Sequence, residues 1–177
     1  QSVVTNAAVA RANVIQMQPI QIHGVSTLLV GNRLDFFRDY AHPAWVSAPV
    51  NDDVFNPDRN ASLALVSESF SARFNVRRGS TVQVPTSGGP RTVTVAGVFS
   101  DYGNERGSLL IERRQFTNWF GNELAASLIL ALKPGHDTET LRAELRKDYP
   151  GLGIFTSRYL RSEALRTGNG SSSFTAL

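Results

Sequence analysis

Between Gly97 and Arg113 the chain reads GVFSDYGNERGSLLIER. Asp101, Asn104 and Glu105 are oxygen donors, threaded with Gly103 and Gly107. Such a stretch serves as a metal loop, an acid–base pair or a turn. Calcium loops place acids at alternate positions. Here the donors are spaced by three and then by one, which leaves a cation few ligands. An acid–base pair would be Asp101 with Glu105, but no His, Lys or Tyr constellation stands beside it apart from Tyr102. The turn asks for less. Asp101 bonds to nearby amides, Gly103 and Asn104 tolerate positive φ, and Gly107 lets the next strand begin. The turn is favoured, so no enzyme is expected, with no catalytic, cofactor-binding or metal-ligating residue and no cofactor.

The rest of the chain points the same way. His23, His42 and His136 have no partner at zinc-like spacing, and His136 with Asp137 and Glu139 reads as a helix start. No nucleophile elbow accompanies the serines, and no glycine-rich phosphate loop occurs. Asn60 and Asn169 open glycosylation sequons, which matter only in a eukaryotic secretory setting. With no cysteine there is no disulfide framework and no thiol chemistry. The net charge is +3, and only Lys133 and Lys147 among the 18 basic residues are lysines. Basic pairs at 77–78, 113–114 and 146–147 have acids close by in two cases, so nucleic acid is not an expected partner.

These residues need elements to hold them. The 177 residues, 41% hydrophobic and 19% charged, suffice for one core or two small subdomains. Residues 1–11 read as the end of a helix. Asn13 to His23 alternates like a strand, with Pro19 arguing an edge or a bulge, and Gly24 turns it into VSTLLVG as a hairpin. Residues 35–62 form a long ordered connection, in which Phe36, Phe37, Tyr40 and Trp45 pack onto the domain rather than around a cofactor. Ser67 caps a short helix with Phe70 and Phe74 stacked at i, i+4, and Asn75 takes the left-handed position after it, with Val76 folding back. Strands follow at Thr81 to Val84, at TVTVAGVF and at SLLIER, then a helix at RRQFTNWF closed by Gly121. ASLILALK reads as a buried strand. GHDTETLRAELRKDYPG reads as an amphipathic helix capped by Asp137, with Leu141 and Leu145 on its apolar face and Glu144 towards Arg142 or Lys147. LGIFTSRYL closes a β-α-β unit over 126–158, packed with the 13–30 hairpin. SEALR begins a further helix. The class expected is α+β with two subdomains.

LVSESFSARFNVRRGSTVQV followed by RTVTVAGVFSDYGNERGSLLIERRQF resembles the large extracytoplasmic domain of MacB/FtsX-type ABC transporter permeases. The cadence shared is an apolar-V-S-E start, a short helix, a small loop, and a strand ending in G-V-x-x-D-Y-G. Ser80 stands where that family commonly has Asp. NWFG, LILALKPG and PGLGIFTSRYLR extend the match to roughly residues 10–177, and it is most specific over 64–112. The resemblance implies a porter-like α/β subdomain built from both chain ends, residues 1–35 and 122–177, around an inserted β-rich sabre-like subdomain, residues 36–121. It implies a domain that relays ATP-driven motion to a substrate or partner outside the membrane, on the periplasmic or extracytoplasmic face of a bacterial cytoplasmic membrane. Its partners would be membrane helices of the same permease, an ABC ATPase subunit, and a periplasmic adaptor, lipoprotein or lipid. A start without Met and apolar runs far short of the ~20 residues of a membrane helix fit a piece cut from between such helices. The alternative is a free periplasmic protein that binds lipid or peptide.

Overall fold

The computed structural model describes residues 6–101, 104–121, 125–151 and 153–156. Strands β1 (Val9–Ile22) and β2 (Val25–Asn32) form the expected antiparallel hairpin. Its corner is His23 and Gly24, both at positive φ, 49° and 76°. Two such residues in succession give a turn whose twist matches that of the strands. Pro19 sits opposite Leu28 in an unbroken register, so it marks no bulge in the hairpin. Proline lacks the donor but its fixed φ lies within the extended region. Residues 9–11 are strand, not helix. The Asn6 side chain accepts from the Ala8 amide at 2.9 Å, which starts the chain in a turn, and pairing overrides local helix preference from Val9 onward.

With β3 (Trp45–Ser47), β4 (Leu63–Ser67), β5 (Thr81–Val84), β6 (Arg91–Phe99), β7 (Ser108–Glu112) and β8 (Ala125–Leu132), the strand order is β3-β6-β4-β7-β2-β1-β8, with β5 also paired to β6. The sheet is mixed, and with its helices the class is α+β as expected. Strands β4 (Leu63–Ser67) and β7 (Ser108–Glu112) lie in its middle, and every residue of β7 is buried. Near-continuous apolar runs such as LALV and SLLI are what a strand covered on both faces requires. β7 runs parallel to β2 and antiparallel to β4, while β4 runs parallel to β6 (Arg91–Phe99). β5 (Thr81–Val84) pairs with the start of β6, and β3 (Trp45–Ser47) with its end.

Helix α2 (Glu68–Phe74) forms where the sequence placed it. The Ser67 hydroxyl accepts from the Phe70 amide at 3.2 Å, Phe70 and Phe74 lie 4.5 Å apart, and Asn75 is left-handed at φ 51°. The Val76 amide folds back onto the Ser71 carbonyl at 3.0 Å. Helix α3 (Arg113–Phe120) buries Phe116 over Gly31, whose missing Cβ leaves room for the ring. The 33–62 connection is ordered. After a helical turn α1 (Leu34–Phe36), Phe36 stacks on Tyr40 at 4.4 Å, Phe37 meets Phe99 edge-on at 5.2 Å, and Trp45 meets Phe55 at 6.2 Å.

By contacts the chain clusters into two compact units, residues 13–128 and residues 1–12 with 129–177. The parallel pairing of β2 with β7 ties the hairpin into the first of these. In the unit of the chain ends, the Lys133 amide donates to the Ala8 carbonyl at 2.9 Å, and helix α4 (Thr138–Asp148) is capped by Asp137, which accepts from the Thr140 amide at 2.9 Å. Leu141 and Leu145 are buried with Val9 and flanked by Ala12, Leu130, Leu132, Tyr149 and Ile154. Their partner inside this unit is therefore the first part of β1, ahead of the 13–30 hairpin. Arg142 pairs with Glu139 at 3.0 Å, not with Glu144, because i, i+3 neighbours also meet on a helix. β8 (Ala125–Leu132) is less buried than its apolar run implied, with Leu128 at 42% exposure. Residues 153–156 are not strand, and the remainder of the expected closing strand and the SEALR helix lie outside the described residues.

Candidate functional site

The opening stretch is held as a turn. The Asn104 side chain accepts from the Arg106 amide at 3.1 Å, and the Gly107 amide donates to the Asn104 carbonyl at 3.1 Å. Gly107 has φ +78°, and its carbonyl accepts from the Leu28 amide at 3.3 Å and the Thr27 hydroxyl at 2.9 Å. Arg73 reaches the backbone carbonyl of Glu105 at 2.9 Å, while the Glu105 side chain is exposed. Asp101 is half-buried. Tyr102 and Gly103 lie outside the described residues. Thus Asn104 spends its side-chain acceptor on the turn. Among the described residues no cluster of three His, Cys, Asp or Glu is placed to share a cation.

The most polar interior site was not singled out by sequence reasoning. Glu112 ends β7 and is 5% exposed. Its Oε2 accepts from the Leu34 amide at 3.2 Å and from Asn60 Nδ2 at 3.1 Å. Asn60, itself buried, also donates to the Val54 carbonyl at 3.1 Å. One carboxylate therefore joins three chain segments, and the Asn60 sequon is closed to a glycan in the folded domain. The signal available was an acid ending an otherwise apolar run, LLIE.

Burial pushes the Glu112 carboxyl above the usual carboxylate range, against the pull of its two donors. Asp35 raises it further and Arg33 lowers it. The native state thus holds a proton over a pH window in which the unfolded chain has lost it. Stability from this group is fully present below the unfolded value and is lost as pH rises through the raised one. The loss is about 1.4 kcal/mol for each tenfold difference in proton affinity between the folded and unfolded chains. Glu112→Gln keeps an acceptor for both donors and removes the charge. We expect it to raise the melting temperature at neutral pH and to flatten the pH dependence on the alkaline side of the usual carboxylate range. An unchanged slope in melts across pH 4–8 would contradict this.

Glu112 also lines a cleft of about 680 Å³ with Asp58, Asn60, Arg91, Arg114, Gln115, Asn118 and Trp119. A second hollow, of about 410 Å³, shares Glu112, Arg114 and Asn118 and adds Arg33 and Arg113. Arg33 is taken up by Asp35 at 2.8 Å. His23 and His42 occupy left-handed positions in turns, and His136 bonds through its amide to Lys133, so none joins this site.

The fold has close counterparts among solved structures. The periplasmic region of MacB from Actinobacillus actinomycetemcomitans superposes with a TM-score of 0.59 over 95% of this chain and 80% of that one, at 14% identity. This chain has the fold of that region. The extracellular domain of the ABC-type transporter YknZ from Gram-positive bacteria matches with a TM-score of 0.58 over 85% of this chain and 81% of that one, again at 14% identity. No family model matches the sequence, and no curated protein does. The likeness to these two structures is one of fold, at 14% identity. Among the described residues no helix is long and apolar enough to cross a membrane.

Proposed function

We propose that the chain is an extracytoplasmic domain of an ABC transporter permease. It relays ATP-driven conformational change to a substrate or partner outside the membrane, and it carries out no catalysis itself. The observation that carries this reading is the MacB-like fold over nearly the whole chain. The partners are membrane helices of the same permease and an ABC ATPase, with a periplasmic adaptor, lipoprotein or lipid beyond them. The porter-like part is built from the chain ends, and the sabre-like part from the segment between. Tight glycine turns such as Gly107 suit a stiff body that transmits motion rather than absorbing it.

The chain has no native cysteine, and Val46 is 56% exposed on the short strand β3. In cells expressing the full-length protein, Val46→Cys should react with a membrane-impermeant maleimide without permeabilisation, and the labelled chain should sediment with membranes. Labelling only after permeabilisation would place the domain in the cytoplasm and end this reading. A labelled but freely soluble chain would favour a free binding protein.

A further inference from the structure

The cleft beside Glu112 carries more positive charge than its surroundings absorb. Arg91, Arg113 and Arg114 line it and its adjoining hollow, and none forms an ion pair with a described residue. Asp58 is the one other acid among the described lining residues. Guanidinium groups present paired donors that match the oxygens of a tetrahedral anion. Several cations facing few acids suit a group of up to two negative charges. The cleft, at about 680 Å³, exceeds the needs of a bare ion and falls in the range of sites for small organic ligands.

Glu112 completes the arrangement. Its Oε2 already accepts two N–H groups, and its Oε1 takes no hydrogen bond from a described residue. When the carboxyl is neutral the proton therefore sits on Oε1. A buried acid kept neutral is a hydrogen-bond donor, and it adds no negative charge against an anion.

We propose that this cleft binds a phosphate-bearing organic ligand, with Arg91 and Arg114 of the cleft and Arg113 of the adjoining hollow as its cations and Glu112 at its floor. The body of the ligand lies against Trp119 and Asn118. The charged groups around Glu112 are Arg33 and Asp35 from the β2–α1 junction, Asp58 from the connection, Arg91 from β6, and Arg113 and Arg114 from α3. The proposal does not depend on the transporter reading, since it concerns this cleft alone.

The test is a titration of the isotope-labelled 177-residue chain with glycerol 1-phosphate, followed by amide shifts. Amides at 33–35 and 112–115 are expected to move saturably, and Arg114→Gln and Arg91→Gln each to weaken binding at least about fivefold. Affinity should fall as pH rises in the native chain. Glu112→Gln, which keeps a donor, should bind without that fall, and comparing the two chains cancels the phosphate's own ionisation. Vesicles with and without phosphatidylglycerol form the second arm. Retention by the anionic vesicles assigns the group to a lipid headgroup, and saturation by glycerol 1-phosphate alone assigns it to a soluble ester. Binding unmoved by both arginine substitutions, equal shifts with acetate, no shift with either probe, or a pH fall that persists in Glu112→Gln would each overturn the proposal.

Discussion

Gly107→Val is expected to cost about 3 kcal/mol or more, enough to unfold a marginal domain. A Cβ at Gly107 would lie 2.7 Å from both the Cα and the amide nitrogen of Phe70, and backbone does not yield as a flexible side chain does. The φ of +78° adds strain for any branched residue. The carbonyl of Gly107 also anchors Leu28 and Thr27, so displacing the turn disturbs the start of the β2–β7 ladder. Glu105→Ala, by contrast, removes an exposed side chain and should stay within about 0.5 kcal/mol. Urea melts of the two variants compare the effects directly. If Glu105→Ala lowered stability more than Gly107→Val, the acid and not the glycine would be holding this stretch. Gly103, for which the sequence suggested a similar role, lies outside the described residues.

Phe116→Ala is the second large effect, about 3–5 kcal/mol. The ring is fully buried in the core of residues 13–128, packs 5.1 Å from Phe120, and fills the space left by Gly31. Helix α3 has eight residues, too few to be stable by itself, so its docking rests on this side chain. Two further contacts hold it. The Thr117 hydroxyl donates to Gln16 at 3.0 Å, and Gln16 Nε2 donates to the Gly121 carbonyl at 3.3 Å. The expected result is a large fall in the urea midpoint and early amide exchange throughout 113–120. A loss under about 1 kcal/mol would mean that the helix is held by its polar contacts instead.

Local chemistry was the most legible part of this sequence. Ser67 as a cap, Asn75 as the left-handed residue, Gly24 as a hairpin corner and Asp137 as a second cap are each decided by neighbours within a few positions. What failed depended on distant pairing. Residues 9–11 are strand because of what lies beside them. The Ser67 hydroxyl shows the limit well. Its capping bond was visible, but it also accepts from the Ser108 amide at 2.9 Å, 41 positions away, and nothing local announces that. Glu112 escaped notice because its donors, Leu34 and Asn60, lie 78 and 52 positions from it. Asn104 and Gly107 were legible as turn residues, since asparagine and glycine so close together have few other uses.

A domain that relays motion in a permease must respond to ATP on the far side of the membrane. The most direct measurement is amide hydrogen exchange over this chain in the full-length protein purified with its ATPase in lipid, compared without nucleotide and with ATP and vanadate. A relay predicts altered protection within this domain on trapping, while a variant ATPase that binds but cannot hydrolyse ATP leaves the vanadate-dependent part absent. Exchange identical in all states, with hydrolysis proceeding normally, would contradict it.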